Sequence, residues 1–444
     1  MSSATMALIQ SLPLASNAEN GIRTPKRGST IYREPYYWNP VDNSTYSPTG
    51  NNHFRIDIPN TDIWDTQTAW IAFDLTITTN GISTDANPPY QRMSNGTWSF
   101  FERARHLSNL VPIEEIYPYW NIMSQRWAFE QTKELETILG PIVGVETKAT
   151  RNAWGVTTKR LILPLSLGWL SAGPFPAKYL STVHSIDMYL LPANQCIETN
   201  CSNPNYTITN VEYHSFRMVS KFPGLNIDSN DYSSNWEEGF ARLVKAGRYE
   251  IMMDYYDLYQ NSNLTQQGDY LIPVKTAAIQ SVFSVFGNIN TIATTNVPDK
   301  QMTFLKNNLG DFQLKVYSRL FPEQPVDCRN DGFQAYFFYL GYVNAWVADS
   351  FTSLDPTSPD SINESPVGID EFNSTAFAMI HDFRSIRKEP AVNPIFNADQ
   401  SAGDLRLTLR FDAPVPAGTV VYHTVKSSRI VKVTQDGVVI INLI

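Results

Sequence analysis

At 444 residues, with 42% hydrophobic and 12% aromatic side chains, the chain can fill large cores and does not belong to the disordered class. Its net charge of −9 gives the body no electrostatic footprint for nucleic acid, and a charged fraction of 17% is low for a surface kept wholly in water. With 28 prolines and 22 glycines, the composition fits many strands joined by long loops better than a helical protein.

In chain order, residues 1–50 have little periodicity. Their prolines and Tyr32, Tyr36, Tyr37, Trp38 and Tyr46 predict an extended arm docking through aromatics. The cations Arg23, Lys26, Arg27 and Arg33 in this arm are nearly cancelled by Glu19, Glu34 and Asp42. Met6–Ser16 lacks a basic leader and is interrupted by Gln10, Ser11 and Pro13, so it is not read as a signal peptide. His53–Ile58 and Thr68–Thr78 alternate as strands, and Trp98–Phe101 and Ile113–Tyr117 read as two more. Tyr119–Leu139 is the clear helix, stopped by Gly140-Pro141. Arg160–Leu167, Ser185–Leu191 and Tyr206–Val219 continue the strand series.

A break near Pro223-Gly224 divides the chain nearly in half. Beyond it, Gly247–Met253, Leu271–Phe286, Phe333–Tyr342 and Thr375–Phe383 read as strands. Ile279–Phe286 is apolar on both faces, as a strand between two layers would be. Phe351–Glu371 reads as a long surface loop. The last forty residues give the plainest signal. Leu405, Leu407, Leu409 and Phe411 alternate with Arg406, Thr408 and Arg410, a period of two that makes no apolar stripe on a helix. Apolar runs over Val420–Val425 and Arg429–Val433 follow, and Asp436-Gly437 marks a hairpin before Val438–Ile441. About eight strands per half predict an all-β protein of two tandem jelly-roll sandwiches, divided as a 1–50 arm, a 51–224 sandwich and a 225–444 sandwich. A single elaborated jelly roll is the alternative.

The candidate chemistry is sparse. Glu114-Glu115 and Glu237-Glu238 are adjacent pairs, and neighbours on a strand point to opposite faces, so neither converges as acid and base. Asp254 and Asp257 read as a solvated strand end. His53, His106, His184, His214, His381 and His423 have no ligand spacing. Cys196, Cys201 and Cys328 are odd in number and read as buried thiols of a reducing compartment, although a Cys196–Cys201 bridge stays open. No phosphate loop, dinucleotide fingerprint or nucleophile elbow occurs. The aromatic stretches Tyr117–Trp120 and Tyr336–Tyr339 read as core or subunit contacts. No catalytic residue, cofactor or metal site is expected, and no run is long enough for a membrane span.

The order His53–Ile58, Trp98–Arg105 with Val111–Ile116 and the helix behind it, Leu161–Leu165, Tyr206–Val211, Ile279–Phe286 and Leu405–Phe411 with its terminal hairpin resembles the major capsid proteins of small icosahedral DNA viruses. The likeness is to the double jelly-roll type of polinton-like viruses and their relatives. It covers about residues 50–444 and rests on strand texture and order, not on an invariant motif. The resemblance implies a non-enzymatic shell protein that self-assembles from trimeric or pentameric capsomers, with minor capsid proteins as further partners and weak genome contact. Its place would be the virion, with assembly in the host cytoplasm or nucleus. A carbohydrate-binding or carbohydrate-processing β-sandwich is the alternative from another class.

Overall fold

The computed structural model describes residues 31–130, 159–227, 241–342, 369–383 and 405–442. Short breaks interrupt these ranges at 33–34, 39, 42–44, 59, 61–63, 81–90, 94–95, 166, 169–173, 176, 200–206, 222–225, 275–278, 294–299, 302, 317–318 and 330–331. The first half contributes eight main strands: β1 (Pro35–Trp38), β2 (His53–Ile58), β3 (Trp64–Asn80), β4 (Phe101–Ser108), β5 (Val111–Ile116), β6 (Lys159–Pro164), β7 (His184–Leu190) and β8 (Thr207–Lys221). They form two sheets, β1-β8-β3-β6 and β2-β7-β4-β5.

The second half contributes β9 (Tyr249–Asn261), β10 (Gln267–Ile272), β11 (Ile279–Asn288), β12 (Leu309–Val316), β13 (Arg319–Asp327), β14 (Met379–Asp382), β15 (Leu405–Phe411) and β16 (Thr419–Thr434). Its sheets run β9-β16-β11-β14 and β10-β15-β12-β13. A final strand, β17 (Gly437–Asn442), pairs with the last residues of β16. Numbered within each half, both sandwiches have the order 1-8-3-6 facing 2-7-4-5, which is the rolled-up antiparallel pattern of a jelly roll. The chain folds that roll twice.

The alternating strands bury one face each. Phe54, Ile56 and Ile58 are covered while Arg55 and Asp57 look out, and Leu405, Leu407, Leu409 and Phe411 are covered while Arg406 and Arg410 are exposed. The whole of Ile279–Phe286 is buried, since β11 runs through the middle of the second sandwich.

Elsewhere the structure departs from the sequence reading. Phe333–Tyr342 is a helix, not a strand: Ala335, Tyr339 and Tyr342 are buried at helical spacing, and a run apolar on both faces supports either period. Thr97–Phe100 is a 3₁₀ turn before β4, with the Trp98 indole folded over Gly96, where a Cβ would lie 2.5 Å from the ring. The expected Leu271–Phe286 strand is two strands in different sheets, β10 and β11. The two expected runs over Val420–Val433 are one strand, because Ser427 and Ser428 between them are buried, with Ser428 Oγ accepting from Gln280 Nε2 at 2.7 Å.

Within the span expected as an arm, Pro35–Trp38 pairs with Met218–Lys221, and Tyr46 exchanges backbone hydrogen bonds with Tyr213. Residues 1–30, 33–34, 39 and 42–44 of that span lie outside the described residues, as do 131–139 of the expected helix and most of the Phe351–Glu371 loop.

The two rolls stand side by side with like ends together. At one pole lie the two-residue β4–β5 turn at Asn109-Leu110 and the β16–β17 turn, and here Ser181 N and Oγ donate to Gln435 O. The opposite pole carries α1 (Tyr119–Glu130) and α2 (Phe333–Tyr342), and Lys300 Nζ donates there to Asn194 O and Ile197 O. The cores interlock. Tyr249, Met253, Tyr255, Tyr256, Val431 and Val433 belong to the first apolar cluster, and Phe129 of α1 belongs to the second, against Phe283, Phe304 and Tyr339.

Candidate functional site

The adjacent carboxylates behave as strand geometry dictates. Glu114 points inward and accepts the Gly168 N–H at 2.6 Å. Glu115 points outward between Arg105 at 2.9 Å and Arg103 at 3.3 Å. They do not converge, and Glu114 is fully buried in β5. Glu237 and Glu238 lie outside the described residues. Asp254 and Asp257 sit in the middle of β9 and are not a solvated end. Asp254 pairs with Lys426 at 3.1 Å and Asp257 with Arg429 at 3.0 Å. Burial raises the Asp257 carboxyl, against the pull of Arg429. These are struts between strands.

On the outer face of β2-β7-β4-β5 the register lines up Arg55, Asp187, Arg105 and Glu115 as one alternating row of charge. Arg55 grips Asp187 at 2.7 and 3.2 Å, and His53 stacks on Tyr189 at 4.4 Å. The arginines are thus already matched by carboxylates, which stiffens the sheet and leaves them balanced toward an anion.

The histidines, scattered in sequence, meet in space. His106 Nε2 lies 3.0 Å from His184 Nδ1, and His184 Nε2 lies 3.1 Å from Thr182 Oγ1. In the second sandwich His423 bridges Ser284 Oγ at 2.7 Å and Asn261 Oδ1 at 2.9 Å. That Ser–His–Asn chain has the distances of a nucleophile, base and orienting group. Yet Ser284 and His423 are both 0% exposed on neighbouring core strands, so no reacting atom can reach the hydroxyl. A cavity nearby, between Gln125, Arg126, Tyr256, Phe283 and Thr424, holds about 10 Å³, the space of one water.

Burial holds four of the six histidines neutral: His184 falls to about 4, His381 and His423 to about 3, and His106 well below its ordinary value, His184 beside it adding to the drop. Sequence spacing could not reveal these pairs, because strand partners lie 78 and 139 residues apart.

Among the described residues no three His, Cys, Asp or Glu side chains gather to hold a metal ion. Cys196 and Cys328 are buried free thiols, and burial pushes Cys196 up to about 12 and Cys328 higher still. Cys201 lies outside the described residues. In the first aromatic stretch Tyr119 and Trp120 are core, and Tyr117 is half-exposed beneath Arg103 at 4.8 Å. In the second, Tyr339 stacks on Phe372 at 5.5 Å while Phe337 faces solvent. No described helix is long and apolar enough to cross a membrane.

The two rolls are fused through α1, β9 and β16. No protein-family profile matches the chain. No curated protein matches it by sequence. Solved structures match it by shape. VP54 of PBCV-1, fitted into a reconstruction of the virophage Sputnik, is 10% identical with a TM-score of 0.61, over 95% of this chain and 99% of that chain. The Faustovirus major capsid protein is 10% identical with a TM-score of 0.52, over 97% and 98%. A chain of the Sputnik virophage structure is 12% identical with a TM-score of 0.52, over 97% and 93%. At such identities the likeness is one of architecture along nearly the whole chain, and that architecture is the double jelly roll.

Proposed function

We propose that the chain is a major capsid protein, a non-enzymatic subunit that assembles in many copies into an icosahedral viral shell around the genome. The observation that carries this reading is the pair of like-poled jelly rolls fused through a shared core, matched over 95% or more of the chain by the PBCV-1, Faustovirus and Sputnik structures. A rigid two-roll block tiles a surface when copies bury their sides against one another. Buried polar pairs such as Gln280–Ser428 and Glu114–Gly168 brace neighbouring strands, which suits a rigid block.

Trimeric or pentameric capsomers, minor capsid partners, weak genome contact and assembly in the host cytoplasm or nucleus complete the reading. So does a division near residue 224 into two rolls, supported by main sheets that each draw their strands from one half, with Pro35–Trp38 of the 1–50 segment taken into the first roll. Electron micrography of the purified recombinant protein, with its mass in solution, is the test. Regular oligomers and closed particles are expected. A protein that stays monomeric over all concentrations and salts, and binds a sugar, overturns the reading in favour of a lectin-like sandwich.

A further inference from the structure

We propose that the outer wall of the first roll, the solvent face of β2-β7-β4-β5, joins two copies of this chain about a two-fold axis that runs along its strands. This names one contact of the shell reading and rests on that reading for copies that stand side by side.

The first observation is the alternation of charge. The register sets Arg55, Asp187, Arg105 and Glu115 straight across four neighbouring strands, so the row reads plus, minus, plus, minus. Each guanidinium already has a carboxylate, with Arg55 2.7 Å from Asp187 and Arg105 2.9 Å from Glu115. A row balanced in this way offers a free anion or a polyanion no net charge to bind. It fits a surface that repeats the alternation in the opposite order. An alternating row with an even number of members is its own such surface.

The second observation is the row beside it, on the side of the α1 pole. His53, Tyr189 and Arg103 are in register there, and Tyr117 follows at the end of β5. His53 stacks on Tyr189 at 4.4 Å, and the Arg103 guanidinium lies 4.8 Å from the Tyr117 ring and 5.5 Å from the Tyr189 ring. Tyr117 is 47% exposed, and the Arg55 and Glu115 side chains at the two ends of the charge row are 33% exposed each. Tyrosine and arginine are the side chains that most often anchor protein contacts.

The third observation is geometric. Two copies of one wall, laid face to face, are related by a two-fold axis lying in the contact plane, either across the strands or along them. An axis across the strands sets each strand on itself, so Arg55 meets the partner's Arg55 and Glu115 meets the partner's Glu115. An axis along the strands reverses their order. Arg55 then faces the partner's Glu115, Arg105 faces the partner's Asp187 and Tyr189 faces the partner's Arg103. Asp187 is only 2% exposed, so the end pairs and the aromatic row make the contact. The strands run from pole to pole, with the β4–β5 turn at one end and α1 at the other. The axis that matches the charges therefore also keeps like poles together, as two tiles of one surface require. Charge sets the orientation, the planar side chains supply the buried area, and many copies add their contacts.

Sedimentation equilibrium of the full-length protein at low salt reads the association. Melting temperature checks folding, and micrography of the same samples reports on particles. Arg55→Glu and Glu115→Arg should each weaken association at least about tenfold, because the two-fold repeats every reversed pair. In an equimolar mixture of these two variants every facing end pair is again one cation and one anion, so association should return to the parent's strength. Residues that only braced their own sheet would show no rescue by mixing. A second route avoids a reversed charge beside Asp187: Arg55→Cys mixed with Glu115→Cys and treated with a short bis-maleimide should give covalent dimer well above either variant alone, Cys196 and Cys328 being buried. Folded charge variants whose mixture associates no better than each alone, or a cysteine mixture with no excess of dimer, would overturn the proposal. Normal particles from Arg55→Glu by itself would overturn this contact and leave the shell reading intact. Rescue by mixing, with no particle formed by the parent under any condition, would uphold the contact and count against the shell.

Discussion

The two rolls share one strand order but use their inserted helices differently. In the first, α1 leaves its own sandwich and inserts Phe129 among Phe283, Phe304 and Tyr339 of the second. In the second, α2 stays at home, covering β14 and packing Tyr339 on Phe372. The exchange is repaid in the other direction by β9 and β16, whose Tyr249, Met253 and Val433 close the first core. A repeated fold thus becomes a single body through an asymmetric insertion, and neither roll has a complete core alone.

The harshest way to break this comparison is Leu407→Asp with Leu409→Asp. Both side chains are 0% exposed, and an unpaired buried charge costs several kcal/mol or neutralises. Neither roll should survive if they are one body. The expected outcome is loss of soluble protein, with circular dichroism of any remainder showing both halves disordered. A persisting protease-resistant first roll would show that the halves fold independently.

Phe129→Ala aims at the junction. Truncating a buried phenylalanine costs about 3–5 kcal/mol, and here the loss falls between the rolls. Calorimetry should show a lowered melting transition that broadens or divides, and α2 should be untouched by near-native proteolysis. A transition as sharp as the parent's would mean that β9 and β16 hold the rolls without α1.

Acid tests both halves at once. His106 and His184 in the first roll and His381 and His423 in the second have folded pKa values held below the ordinary 6.5 by burial. The unfolded chain therefore binds more protons as pH drops. Their contribution is fully present above about pH 6.5 and is lost as pH falls toward the folded values, at about 1.4 kcal/mol per pH unit for each histidine. Chemical denaturation between pH 7 and 5 should show stability falling steeply, and His423→Gln should flatten the slope by about one proton. An unchanged slope would mean that this imidazole is already charged in the fold.

The smallest contrast separates neighbouring residues. Glu114→Gln removes a charge that accepts the buried Gly168 N–H and should cost about 1–3 kcal/mol. Glu115→Gln loosens a partly exposed cluster with Arg103 and Arg105 and should cost less than about 1 kcal/mol. Urea midpoints measured on both variants check the order, and a reversed order would mean that the outer charge row outweighs the buried strut.

The amino-acid sequence by itself determined the strands whose faces differ. His53–Ile58 and Leu405–Phe411 alternate strictly, and a one-residue slip would turn their leucines and phenylalanines into water, so their register and buried face follow from local pattern. It also determined that Ile279–Phe286 lies between layers and that Asp436-Gly437 turns the chain. Only the tertiary structure decided what the symmetric runs become. Phe333–Tyr342 is apolar all round and is a helix because it packs on β13 and β14 there, while Ser427 and Ser428 stay within a strand because Tyr255 and Gln280 supply their partners. The histidine pairs, the Glu114 strut and the charge row on β2-β7-β4-β5 join residues far apart in the chain. Their chemistry depends on which strands become neighbours, and that is settled by long-range pairing and burial, which no local spacing encodes.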